Sequence, residues 1–162
     1  MSKKRFIAII IDLILILLTL FFIFGNSMKN TEKSGADSES ITSIIEQIPP
    51  IKQAIEENKL EPGSLEGPIR SFAHFFEFSI LGAELMLLII LLKVSCNIKY
   101  FLFIVLLCFI LGLADEIIQS FSDRSTEVAD VLKDIGGGAF GAFCVYVIYL
   151  PIKKKQIKSK LL

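Results

Sequence analysis

Four apolar runs, each close to the length of a membrane crossing, separate the charged parts of this chain and decide most of what it can fold into. A helix rises 1.5 Å per residue, so about 20 apolar residues are needed to cross a hydrocarbon layer of about 30 Å. Lipid offers no partner to a stray backbone N–H or C=O, and each run must therefore satisfy its own backbone as a helix. The runs lie at about 6–24, 72–92, 100–118 and 131–150. With 53% hydrophobic residues and a mean hydropathy of +0.65 over 162 residues, the sequence predicts an all-α integral membrane protein. Its four transmembrane helices pack as one small bundle and form a single domain over 1–162.

The first run follows Lys3, Lys4 and Arg5, as a secretory signal would, but it is longer than a signal core. The GNSMKNTEKSG that comes next offers no small-x-small cleavage site, so an uncleaved anchor is expected. Asp12 interrupts this span about 9 Å from its start, where a charge must be protonated, snorkel or find a partner. Residues 25–71 then read as a polar loop, with eight acidic against five basic residues and with Pro49, Pro50, Pro62, Gly63, Gly67 and Pro68 as breakers. Within it Ile41, Ile44, Ile45 and Ile48 recur on one helical face, and Ser43 to Glu46 has the spacing of a capping box. A short amphipathic helix, packed on the bundle as a lid or lying in the headgroup layer, is expected there.

Lys and Arg near span ends mark the cytoplasmic side. They gather at the amino terminus, at Lys93 and Lys99, and in the 151–162 tail, whereas the 25–71 loop and the Ser122–Asp130 link are not basic overall. This predicts a multi-pass protein of the bacterial cytoplasmic membrane with both termini cytoplasmic and the 25–71 loop outside. Net charge is zero, which excludes an electrostatic case for a nucleic-acid partner. Cys108 and Cys144 lie inside apolar runs and Cys96 in a short connection, so no disulfide framework is implied.

With this topology, span two enters from outside carrying Arg70 at the surface, His74 below it, Glu77 a turn deeper and Glu84 about 18 Å in from Phe72. Span three arrives at the same surface with Asp115, Glu116 and Gln119, and span four leaves it with Asp130 and Asp134. Three helices thus bring ionisable groups to one side of the membrane. Six carboxyls, from Glu77, Glu84, Asp115, Glu116, Asp130 and Asp134, stand against Arg70, Arg124 and Lys133. In a low dielectric they must share protons, pair with the arginines or bridge a bound cation. Retained protons suit general acid or base work by Glu77, Asp115, Glu116 and His74, and the same four could hold a divalent metal. Arg70, Gln119, Arg124, Asp130 and Asp134 are candidates to bind or orient a ligand. The plainer reading is that the cluster braces the bundle by interhelical hydrogen bonds. No H-E-x-x-H, glycine-rich phosphate loop, serine elbow or Cys/His pair is present. The GGGAFGAF of span four, with Gly137 and Gly141 four apart, is read as a packing face within the chain.

Several of these segments together resemble the VanZ-like family of bacterial membrane proteins. They are FGNS after the first span, RSFAHFFEFSILG opening the second, LADEIIQSF closing the third and RSTEVADVLKDIGGGAFG leading into the fourth. Arg70, His74, Glu77, Asp115, Glu116, Gln119, Arg124, Asp130, Asp134 and Gly138 stand at the positions of that pattern, while Phe78 replaces a frequent Tyr. The founding member is associated with resistance to the glycopeptide teicoplanin. The resemblance therefore implies a cell-envelope setting, a membrane lipid or lipid-linked envelope component as partner, and a link to antibiotic resistance. An outward polar pocket for an amphiphilic anionic ligand is the expected function; a non-enzymatic accessory protein with a structural polar cluster is the alternative.

Overall fold

A computed structural model describes residues 2–29, 31–94, 97–122 and 128–161. Among them are six helices: α1 Lys3–Ser27, α2 Thr31–Glu46, α3 Pro49–Glu56, α4 Glu66–Leu91, α5 Ile98–Ser120 and α6 Val128–Leu161, with no strand among the described residues. Four are long and apolar enough to cross a membrane: α1, α4, α5 and the Val128–Pro151 part of α6. The chain is an all-helical, multi-pass membrane protein.

Its side chains are sorted in the opposite sense to a soluble domain. Leu17, Phe21, Phe72, Leu102, Ile117 and Leu132 are more than half exposed, while Asp12, His74, Asp115, Gln119, Asp130 and Asp134 are buried. Lipid takes up the first set at no cost, and the second set can survive only by facing the bundle interior.

The spans alternate in direction. α1 runs antiparallel to α4, joined by Arg5 Nε to the Leu91 carbonyl (2.5 Å), Thr19 Oγ1 to Glu84 Oε1 (3.0 Å) and Asn26 Nδ2 to Glu77 Oε1 (3.0 Å). α4 and α6 run in the same direction and approach until backbone meets backbone. A methyl group at Gly137 would strike the Phe75 carbonyl, one at Gly141 the Ser79 carbonyl, and one at Gly82 the backbone of Gly138. The glycines expected to form a packing face therefore do so against α4. α5 lies antiparallel to α6, with Cys108 against Gly138 and Gly112 against Asp134.

The turn between α4 and α5 is set by its caps. Lys93 adopts φ +55°, and the Lys93 and Val94 N–H groups bond back to the Ile90 and Ile89 carbonyls at 3.0 and 3.3 Å, closing a Schellman turn. Asn97 then starts α5 by accepting from the Lys99 N–H at 3.0 Å.

The 25–71 segment holds more helix than its composition suggests. In place of one short helix around Ile41–Ile48 there are α2 and α3, and α4 begins at Glu66 rather than Phe72. Pro49 and Pro50 occupy the first turn of α3, and Pro68 the first turn of α4, where a missing N–H breaks no helical bond. The capping box does not form. Ser43 lies inside α2 and donates to the Ser40 carbonyl (2.8 Å), while Glu46 accepts from the Gly63 N–H (2.8 Å). α2 packs on α4 and leaves its Ile41 and Ile44 exposed, as is Ile48 at the start of α3. At the other end of the chain, α6 continues through Pro151 instead of stopping there, since a single proline removes one helical bond without obliging the chain to turn.

Candidate functional site

The amino-terminal halves of α4 and α6 and the carboxy-terminal part of α5 meet at one end of the bundle, opposite the lysines of the α4–α5 turn. His74 on α4, Asp115 on α5 and Asp134 on α6 are 7%, 1% and 0% exposed there. His74 Nδ1 lies 3.3 Å from Asp134 Oδ1 and 3.9 Å from Asp115 Oδ2. One nitrogen or oxygen from each of the three falls within 4.8 Å of the others.

A chain of polar contacts extends from this group. Ser27 Oγ, at the end of α1, donates to Asp115 Oδ1, and Gln119 Nε2 donates to Asp115 Oδ2 at 2.7 Å, one helical turn along the same face of α5. Arg70 Nη2 reaches Gln119 Oε1 at 3.3 Å and stands 3.6 Å from Asp130 Oδ2. Asp130 Oδ1 accepts from Lys133 Nζ at 2.5 Å, which also donates to Ser71 Oγ at 2.7 Å. Asp130 thus holds two cations, one from α4 and one from its own helix.

Beside the group opens a cleft of about 490 Å³ between α1, α2 and α4. Phe22, Ile41 and Ile69 give it apolar walls, and Lys29, Arg70, His74 and Glu77 bring charge and proton-carrying groups to it. Ser38 and Ser40 on α2 face it from above, so α2 forms one wall of the cavity.

Of the residues singled out in the sequence, Arg70, His74, Asp115, Gln119, Asp130 and Asp134 are joined in one network. Glu77 lines the cleft and accepts from Asn26. Glu116 is buried on α5 but falls outside the His74 group, as Glu77 does, and Asp134 stands in their place. Adjacent helical residues point about 100° apart, so Asp115 and Glu116 cannot both face His74. Arg124 lies outside the described residues. Glu84 and Asp12 sit deeper, apart from this end; Glu84 is held by Thr19, and among the described residues neither oxygen of Asp12 has a hydrogen-bond donor.

Sequence reasoning missed the contribution of α1. Asn26 and Ser27 hold Glu77 and Asp115, and the one hint of it was their place in the FGNS segment. No curated protein and no solved structure matches the chain. The VanZ/LLP1 family model matches residues 9–149, from within the first span to within the fourth and including every member of the polar network, and the chain belongs to that family.

Proposed function

We propose that this VanZ/LLP1 member is a cell-envelope protein of the bacterial cytoplasmic membrane, with both termini cytoplasmic, whose outward-facing cleft receives the anionic head of a lipid-linked or amphiphilic ligand. The observation that carries the reading is the cleft itself. It joins apolar walls at Phe22, Ile41 and Ile69 to the Arg70 guanidinium and Lys29, in a cavity of about 490 Å³ at the end of a membrane bundle. An amphiphile needs that combination, an apolar path for its chain and a fork of N–H donors for a phosphate or carboxylate. The orientation rests on Arg5 and the lysines at the opposite end. Of the four residues proposed for proton transfer, Glu77 and His74 line the cleft and can reach a bound head group, Asp115 acts behind His74, and Glu116 on the neighbouring face of α5 does not take part. The family resemblance adds a link to resistance against teicoplanin-type lipoglycopeptides, whose acyl chain and charged groups have the same amphiphilic chemistry, and such resistance belongs to this reading.

One observation favours the second reading, a structural cluster in an accessory protein. Arg70, Gln119, Asp115 and Ser27 tie α4, α5 and α1 together through hydrogen bonds alone. Binding separates the two. In lipid nanodiscs, a polyprenyl phosphate is expected to bind at least about tenfold more tightly than the neutral polyprenol, as hydrogen bonds to a charged group require. Arg70→Gln and Lys29→Gln should weaken that binding per folded molecule, because each removes a cation from the cleft. Equal affinity for the two lipids, with the variants losing only abundance, would remove the pocket and leave the structural reading.

A further inference from the structure

We infer that His74, Asp115 and Asp134 form a site for a divalent transition-metal cation at the side of the cleft. The three residues come from three different helices, are all buried, and bring one imidazole nitrogen and two carboxylate oxygens within 4.8 Å of one another. Ligands held about 2.1 Å from one ion at tetrahedral or octahedral angles are about 3.0–3.4 Å apart. The 3.3 Å separation of His74 Nδ1 and Asp134 Oδ1 already meets that requirement. The 3.9 Å separation to Asp115 Oδ2 would have to close by about 0.5 Å to reach the same range.

The independent sign is Asp134. It is wholly buried; among the described residues Oδ2 meets no hydrogen-bond donor, and Oδ1 has only His74 Nδ1, which faces it at 3.3 Å without the alignment of a full hydrogen bond. A buried carboxylate among membrane helices is costly unless something positive meets it. An imidazolium would address Oδ1 alone and leave Oδ2 without a partner, whereas a cation between the three residues serves all of them. Two carboxylates with a doubly charged ion close the site at zero net charge, which a low dielectric favours.

The surroundings are built for such a group. Gly112 leaves room for the Asp134 side chain, since a methyl there would lie 3.0 Å from Oδ2. Asp115 is oriented by Ser27 and Gln119, the outer support that ligating carboxylates generally have. One nitrogen and two oxygen donors suit Mn²⁺, Fe²⁺, Co²⁺ or Zn²⁺ better than Ca²⁺ or Mg²⁺. His74 lines the cleft, so the remaining coordination positions are reached from there. Metal uptake requires no amphiphile, and its failure is therefore distinct from a failure of the proposed ligand.

The test is metal analysis of full-length protein purified without chelator, loaded with Zn²⁺ or Mn²⁺ and desalted, with thermal unfolding recorded on the same samples. About one ion per chain is expected, with a rise in Tm on loading. Asp134→Asn and His74→Gln should lose at least about tenfold in affinity along with the rise in Tm, and Ser27→Ala should bind about 10- to 100-fold more weakly. Asp12→Asn, a buried carboxyl elsewhere in the bundle, should bind as wild type does. If Asp134→Asn does not fold, His74→Gln and Ser27→Ala carry the comparison. Less than about one ion per ten chains after loading, or equal uptake by wild type and the folded variants, overturns the inference.

Discussion

Gly141→Ala should destabilise the bundle by about 3 kcal/mol, although it adds one methyl group to a helix. Alanine is ordinarily favoured over glycine in a helix by up to about 1 kcal/mol, so the local effect has the opposite sign. The contact decides. A Cβ at Gly141 meets the Ser79 carbonyl and the Ala83 nitrogen, which are backbone atoms of α4 and cannot rotate away. The helices would have to separate along the seam that also holds Gly82 against Gly138 and Gly137 against Phe75. Gly136→Ala is the control, since its Cβ would find only the Phe75 ring at an ordinary 3.8 Å. Thermal unfolding in detergent should show a large fall in Tm for Gly141→Ala and little change for Gly136→Ala. Equal behaviour of the two would mean that α4 and α6 do not cross at this point.

Arg70→Ala should have the opposite profile, with a large effect on binding and a small one on stability. Its guanidinium is partly open to the cleft, with 29% of the side chain exposed, and its ion pair with Asp130 is 3.6 Å long. Asp130 keeps Lys133 at 2.5 Å when Arg70 is removed, but the buried Gln119 Oε1 loses the Arg70 donor, so the loss of stability should be about 1–2 kcal/mol. A hydrogen bond from a charged donor to an anionic head is worth about 1.5–3 kcal/mol, which is roughly a 10- to 100-fold change in affinity. Arg70→Lys should recover only part of it, because an ammonium keeps the charge but not the two-pronged geometry. Titration of polyprenyl phosphate into nanodiscs reads the affinity, and unfolding of the same samples reads the stability. Unchanged affinity in Arg70→Ala would make this residue a brace between α4, α5 and α6.

The spans were legible because lipid imposes a single requirement, about 20 apolar residues in helical form, and the apolar runs meet it. Their starts were less so. Glu66 to Ser71 belongs to α4 but is polar, and hydropathy cannot separate an exposed first turn from a loop. α3 was hidden by Pro49 and Pro50, read as breakers although they stand where a helix accepts proline. The convergence of Arg70, His74, Asp115, Gln119, Asp130 and Asp134 could be read from depth alone, since each lies near the same end of its helix. Which of them meet could not, because contact depends on the rotation of each helix about its axis. That rotation brings Asp134 to His74 and turns Glu116 elsewhere, and it is fixed by the glycine contacts of α6 with α4 and α5. The role of Ser27 depends in the same way on the register of α1, which no periodicity in the sequence reveals.

The claim that an outward-facing cleft receives an amphiphile is tested most directly by cysteine labelling. Ser40 lines the cleft on α2, and Ser40→Cys can be placed in a chain whose Cys96, Cys108 and Cys144 are alanine. A membrane-impermeant maleimide should label it in intact cells, and polyprenyl phosphate should slow the labelling of purified protein in nanodiscs while polyprenol does not. Labelling that appears only after the cells are permeabilised, or that is indifferent to the phosphate lipid, would contradict the account.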